Sequence, residues 1–341
     1  MSPLEWQELS DFFDQISDLP PEERSRRLQE AVSIRPDWQP YLEQMIQEYE
    51  SASDFLRTPA AQVSELWPPA RSVFQEGELL EGRFQVIRCI GRGGMGEVYE
   101  AEDPVFGKVA LKTLLPWLAD KPDFVEQFKR EATRSRRISH NNVCRVHDLH
   151  KLVRPAGDEV WYYSMELLCG ETLACHLEAG VLAPVDQSTN FLHQIIDALE
   201  AAHSRGVLHR DLKPANIFLE RREPYPRVVV TDFGIAGDFS LTETLAQLTE
   251  GSDSAMGTLW YMSPEQLEQL PLTPASDLYS LGLIAYEMLC GQRPFSRMSP
   301  IAAAIRRTRE RPPSLKELVP AIPEQLDRAV MRSLEPKAKD R

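Results

Sequence analysis

Apolar residues in the first fifty-six positions recur at helical spacing. Trp6, Leu9, Phe13 and Ile16 fall three or four apart, which puts them on one helix face. Ser2-Pro3 opens that stretch and Pro20-Pro21 closes it, as prolines at a helix start and stop do. Leu28 and Val32 belong to a second helix. Trp38, Tyr41, Leu42, Met45, Ile46 and Tyr49 belong to a third, opened by Pro36-Asp37. Residues 1–56 are thus predicted to be a small helical module. Residues 57–79, proline-containing and without periodicity, read as a linker that Trp67 and Phe74 pin to a neighbouring surface.

From Phe84 the period drops to two. Phe84–Ile90 and Glu97–Ala101 read as strands either side of Gly91-Arg92-Gly93-Gly94-Met95-Gly96. Val109–Lys112, Val160–Leu168 and Val228–Thr231 read as further strands. Helices are expected over Phe124 to about residue 138, Val185–His203, Ala275–Leu289, Pro300–Arg309 and Glu324–Leu334. Strands early and helices late predict an α+β, bilobal architecture: a β-rich lobe over 80–166 and an α-rich lobe over 167–341.

The totals narrow the function classes. A formal net charge of −14 argues against general nucleic-acid or anionic-membrane binding, although Lys129–Arg137 is a local basic run. No apolar run is long enough to span a bilayer, and the acidic N-terminus lacks a signal pattern. Five cysteines with no CxxC pair suit a reducing cytoplasm.

The chemistry concentrates in residues 209–216, His-Arg-Asp-Leu-Lys-Pro-Ala-Asn. The β-prone runs Gly206–Leu208 and Ile217–Leu219 flank it, so it reads as a loop between strands. Asp211 can take a proton, Lys213 can balance charge and Asn216 can offer an amide oxygen to a cation. All three are also ordinary loop residues, so the loop needs partners elsewhere. The glycine run supplies one: a strand follows it rather than a helix, which suits a flap whose backbone N–H groups face anionic oxygens. Lys112 ends an apolar strand and is costly to bury unpaired; Glu131 is its natural partner. Asp232 in Asp232-Phe233-Gly234 joins Asn216 as a hard-oxygen pair suited to Mg²⁺. Asp277, opening an apolar helix, is positioned to cap a backbone turn beneath the loop. Residues 235–256, rich in Gly, Ser and Thr, read as a mobile segment.

Taken in order, Gly91-x-Gly93-x-x-Gly96-x-Val98, Val109-Ala110-Leu111-Lys112, Glu131, His209-Arg210-Asp211-x-Lys213-x-x-Asn216, Asp232-Phe233-Gly234, Ser263-Pro264-Glu265 and Asp277 resemble the signature set of protein kinases. Lys213 and Thr258 resemble the serine/threonine class, and GRGGMGEVYEAED and GTLWYMSPEQL its bacterial, eukaryotic-like branch. The resemblance covers residues 80 to 341. It implies that ATP lies under Ile90, Gly91, Gly93, Gly94 and Gly96, with Val98 and Ala110 above the adenine and Phe218 below. Glu166 and Leu168 would offer hinge hydrogen bonds, with Met165 as gate to the pocket behind. Lys112, held by Glu131, would meet the α- and β-phosphates. Asn216 and Asp232 would hold Mg²⁺, or Mn²⁺ in its place. Asp211 would accept the proton of a protein hydroxyl, Lys213 would steady the γ-phosphate, and Thr258 would complete the site.

Three departures from the family pattern stand out: Ser263 in place of Ala, Ser135 one turn after Glu131 where a larger apolar group is usual, and a long stretch from Asp232 to Glu265. Ser135 is expected to loosen the helix that carries Glu131. Arg210 before Asp211 implies control by phosphate on the mobile segment, with Thr242, Thr244, Thr249, Ser252 and Ser254 as acceptors and a second copy of the chain as a partner for trans-autophosphorylation. Glu335–Arg341 resembles the start of the family's last helix, with Arg341 expected to pair with Glu265, so the chain is expected to continue beyond 341, with a membrane or sensor region there. Two other readings fit part of the pattern. A pseudokinase or scaffold would act through the helical module, but Lys112, Asp211, Asn216 and Asp232 are all retained. A small-molecule phosphotransferase would not need Thr258 and the Ser-Pro-Glu run.

Overall fold

The computed structural model describes residues 72–341, apart from 94–95, 155–156, 181, 224 and 234–256; before residue 72 it describes only 26, 27, 31 and 35. The chain divides into two units, 1–71 and 72–341, and the architecture below is that of the second. The expected helices of residues 1–56 and the linker up to residue 71 lie outside the described residues, those four apart.

Six antiparallel strands build the first lobe: β1 (Leu79–Leu80), β2 (Phe84–Arg92), β3 (Gly96–Asp103), β4 (Gly107–Leu114), β5 (Val146–Val153) and β6 (Glu159–Glu166), in the order β1-β2-β3-β4-β6-β5. Helices α1 (Pro116–Ala119) and α2 (Pro122–Ser135) cross between β4 and β5. The alternation in β2 to β4 buries Phe84, Val86, Tyr99, Ala101, Val109 and Leu111 in one core with Phe128 and Ala132 of α2. Val73 and Phe74 join that core, so the lobe begins several residues before the strand that was expected to open it.

The second lobe is helical around one small sheet: β7 (Gly170–Thr172), β8 (Ile217–Glu220) and β9 (Arg227–Val230). Its helices are α3 (Leu173–Glu178), α4 (Val185–His203), α5 (Pro264–Leu267), α6 (Pro274–Cys290), α7 (Pro300–Arg307), α8 (Leu315–Leu318) and α9 (Glu324–Ser333). The middle of α6 is buried nearly all round, from Tyr279 to Leu289, as a helix apolar on every face should be. The absence of a side chain at Gly282 lets α9 approach: a Cβ there would meet Ser333 Oγ at 2.2 Å. Gly291, at φ 72°, ends α6 in the left-handed conformation.

Three sequence expectations need correction. Gly206–Leu208 is not a strand; only the run after the loop, β8, is one. The strand expected through Leu168 stops at Glu166. Strand β5 was not anticipated, because its sequence VHDLHKLV is half polar and one face is half-exposed. Among the described residues no helix is long and apolar enough to cross a membrane.

Arg341 closes the second lobe. Its guanidinium donates to both Glu265 oxygens at 2.6 and 2.9 Å and to the carbonyls of Ala275 at 2.8 Å and Pro336 at 2.9 Å. Burial alone would raise the Glu265 carboxyl; its bonds to Arg341 and Ser276 outweigh that, and the net shift is downward from 4.5. The pair therefore stabilises the fold fully above pH 4.5 and progressively less as the pH falls toward the lowered folded value. Arg341→Met is expected to cost about 3–5 kcal/mol at pH 7, by leaving a buried carboxylate unpaired. The gap to wild type should narrow below pH 4.5. Urea denaturation of both proteins across that range is the check, and equal stability at pH 7 would show that the pair contributes nothing.

Candidate active site

The loop from His209 to Asn216 is pinned by groups distant in sequence. Asp277, in the first turn of α6, accepts the backbone N–H of His209 and of Arg210, each at 2.9 Å. His203, at the end of α4, donates to the same carboxylate at 2.7 Å. Burial works against ionisation of Asp277, but the His203 bond and the two backbone donors together hold its carboxyl below the ordinary value. Gln266 of α5 donates to the Arg210 carbonyl at 2.6 Å. These bonds offset a local cost, because Arg210 is in the left-handed region at φ 68°, worth about 1–3 kcal/mol for a non-glycine residue.

His209 is fully buried, and burial lowers its pKa. Nε2 lies 2.9 Å from the Thr231 carbonyl and must carry the proton, so Nδ1 accepts the Asp211 N–H at 3.3 Å. A neutral histidine thus connects the loop to the end of β9. Its ring also packs on Phe233 at 4.7 Å between centroids. Asp232, between these contacts, is itself left-handed at φ 60°.

Lys112 of β4 meets two carboxylates, Asp232 at 2.7 Å and Glu131 of α2 at 3.1 Å. Burial disfavours the ammonium, but the two acidic neighbours outweigh it and its pKa is raised. One ammonium cannot neutralise both acids. Burial raises the Glu131 carboxyl, and the Asp232 charge adds to that against the pull of Lys112. The Tyr163 phenol donates to Glu131 at 2.7 Å. Ser135, expected to loosen α2, is buried, and its hydroxyl lies 3.4 Å from the Phe233 carbonyl; the Lys112–Glu131 bond is formed all the same.

At the loop itself, Lys213 Nζ stands 3.0 Å from Asp211 and 2.6 Å from the Thr258 hydroxyl. The Asn216 amide donates to the Asp211 carbonyl at 2.8 Å and to its carboxylate at 3.3 Å. That leaves the amide oxygen as its available ligand atom. The Asn216 carbonyl accepts Thr231 N–H at 2.9 Å, which ties the loop to the residue before Asp232. An amide oxygen and a carboxylate are a hard donor pair that fits a magnesium-like ion completed by phosphate oxygens and water.

The glycine-rich segment is a hairpin, as its flanking strands imply. Gly91 pairs with Val98 and Arg92 with Glu97, and Gly93 N–H donates to the Gly96 carbonyl at 2.9 Å. Among the described glycines of this segment, Gly96 alone is compelled by the protein: a Cβ there would lie 1.9 Å from the Thr113 carbonyl. At Gly91 and Gly93 a Cβ would meet no neighbour closer than 3.8 Å, so nothing in the protein excludes a side chain there. Cross-strand pairing puts Val98 beside Lys112 and Ala110 beside Met165, on one face of the sheet. Ile90 sits at the irregularity before Gly91 and is part-exposed. Glu166 ends β6, and its side chain turns to Arg227 of β9 at 2.7 Å. Leu168 follows in the connection to β7, and Phe218 lies in β8 opposite Thr172. Gly94, Gly234, Thr242, Thr244, Thr249, Ser252 and Ser254 lie outside the described residues.

The sequence reading missed Tyr163, His203, Thr231 and Gln266. Tyr163 is set directly across from Lys112 by the pairing of β4 and β6, a register the sequence pattern does not state. The others act through contacts made by the tertiary fold.

Known proteins resemble the chain over most of its length. The serine/threonine-protein kinase PrkC of Bacillus subtilis is 34% identical over 259 residues, which cover 75% of this chain and 38% of PrkC. The serine/threonine-protein kinase PknA of Mycobacterium tuberculosis is 35% identical over 259 residues, covering 75% of this chain and 58% of PknA. The chain therefore spans well under two thirds of these relatives. Among solved structures, the Mycobacterium tuberculosis PknI kinase domain superposes with a TM-score of 0.60 at 28% identity, covering 79% of this chain and 94% of that one. Residues 84–340 match the protein kinase domain, and the chain belongs to that family.

Proposed function

We propose that this chain is a serine/threonine protein kinase of the bacterial eukaryotic-like branch, transferring the γ-phosphate of ATP to protein hydroxyls in the cytoplasm. Membership of the family implies ATP and a divalent metal in general terms; Mg²⁺, with Mn²⁺ as substitute, is our finer reading. The observation that carries it is the Lys112 ammonium held between Glu131 and Asp232. That arrangement ties the nucleotide-facing strand to the metal-binding residue across both lobes. A retained but idle fold would have no need to keep three buried or half-buried charges together at the cost of desolvating them.

The proposed steps follow from the side chains. Lys112 draws the α- and β-phosphates toward the sheet. Asn216 and Asp232 would hold the divalent ion, which when bound would offset charge on the phosphates. The substrate hydroxyl oxygen attacks the γ-phosphorus, the bond to ADP breaks, and the hydroxyl proton passes to Asp211. Lys213, within 3.0 Å of Asp211, offsets charge on the γ-phosphoryl group, and its bond to Thr258 sets its direction. Val98, Ala110 and Phe218 enclose the adenine, with Glu166 and Leu168 as the backbone hinge and Met165 behind. From their sequence pattern alone we read residues 1–56 as a helical module and residues 80–341 as the kinase domain.

Asp211→Asn keeps the loop's shape and removes the proton acceptor. Radiolabelled phosphate transfer to a generic protein is expected to fall by about 10²–10⁴-fold, with ATP binding retained; equal incorporation by both proteins would reject the mechanism. Arg210 and the hydroxyls of 242–254 support a second expectation. Incubation with ATP and Mg²⁺ should place phosphate on one or more of Thr242, Thr244, Thr249, Ser252 and Ser254. Peptide mass spectrometry finding none there would remove autophosphorylation of this segment from the proposal.

A further inference from the structure

The chain just before β1 is bonded to both sides of the glycine-rich turn. Arg92, between Gly91 and Gly93, donates to the Ser72 hydroxyl at 2.5 Å. Glu97, immediately after Gly96, accepts the Val73 N–H at 2.7 Å. Arg92 and Glu97 face each other across the turn at 3.2 Å. Glu97 is 4% exposed, a site where a carboxylate is tolerated only if bonded. It is also bonded by the Tyr99 phenol. The neighbouring Phe74 is 1% exposed. Its N–H donates to the Tyr99 oxygen at 3.0 Å, and its ring packs on Tyr99 at 5.3 Å and Tyr162 at 5.5 Å. From the β5–β6 connection, Arg154 donates to the Val73 carbonyl. Both polar groups of Val73 are therefore used, one toward the turn and one toward the far edge of the sheet.

Among the described residues, the Gly93 N–H to the Gly96 carbonyl closes the turn, Gly91 and Gly93 have no side chains to pack, and further bonds fall on its flank, where Thr113 meets the Glu97 backbone. Where it rests is set by its flanks, and those flanks are where the preceding segment is attached. We propose that Ser72–Phe74 is a strap that positions the glycine-rich turn over the nucleotide's phosphates, with Val73 and Glu97 as its positioning residues. This rests on the reading of that turn as the phosphate cover. The strap does not reach the adenine, so its loss should weaken phosphate recognition and leave nucleoside recognition unchanged.

The test is calorimetric titration of the full chain with ATP plus Mg²⁺ and, separately, with adenosine. Val73→Pro deletes the N–H that Glu97 accepts. Arg154→Ala frees the strap from its far end without altering any residue of the turn. Val73→Pro is expected to weaken ATP binding about tenfold, the worth of one hydrogen bond to a charged group, and Arg154→Ala about threefold on the same scale. Adenosine affinity should stay within about twofold in both. Unchanged ATP affinity in both variants overturns the strap, and so does a fall in adenosine affinity that keeps step with ATP, which marks general damage to the lobe. If Val73→Pro does not fold, Arg154→Ala decides alone. The underlying reading fails separately: wild-type protein binding ATP no more tightly than adenosine would show that the turn does not cover phosphates, and the strap would fall with it.

Discussion

One buried carboxylate, Asp277, decides whether the reacting groups stand where they do. It takes two consecutive backbone N–H groups from the loop and a third donor from His203. That many donors around one acid is what holds Arg210 in a conformation it would otherwise leave. Asp211 follows directly, so its direction is inherited from the anchor. Asp277 belongs to the helix with the most thoroughly buried middle in the second lobe. The loop is therefore referenced to the stiffest part of the molecule rather than to its surface.

From that anchor the site extends in two directions. His209 carries it to Thr231 and so to Asp232, and Asp232 carries it across to Lys112 in the other lobe. Lys112 then reaches Glu131, which Tyr163 steadies from the neighbouring strand. Each link is a short polar contact in a buried or half-buried place, where an unpaired partner is costly. The lobes are also joined by Glu166 to Arg227 and by Asn142 and Cys144 to Val228 and Val230. At Asp232 itself the link between them is one ammonium shared by two acids, an arrangement sensitive to local charge.

The Ser135 departure shows how a missing apolar contact can be replaced. A larger side chain would press on Phe233 by packing alone. Ser135 instead brings a hydroxyl within 3.4 Å of the Phe233 carbonyl, a weak contact beside the ring that packs at a tilt on His209. Helix α2 keeps its place chiefly through Phe128, Ala132 and the Lys112–Glu131 pair. Arg341 plays a comparable part in the second lobe, where its guanidinium joins α5, the start of α6 and the 336 turn.

The sequence by itself determined the two-lobe α+β order, the long helices and the residue types of the site. Those signals are local: period two or 3.6, a glycine run between strands, an acid beside a lysine and an asparagine. It also determined the glycine hairpin, because a strand rather than a helix follows Gly96. Other features only the tertiary structure decided. Strand β5 is too polar to read alone and exists because β6 supplies its ladder. The Gly206–Leu208 run, β-prone in composition, found no strand to pair with. Lys112 had one evident partner in sequence and acquired a second, Asp232, 120 positions away. His203, Thr231 and Gln266 carry no sequence signal, since each matters only through an atom that folding brings within 3 Å of the loop or of the Asp277 carboxylate that anchors it. Pattern along a chain reports which face of an element is apolar; it does not report which distant donor will meet a given acceptor, and this site is made of such meetings.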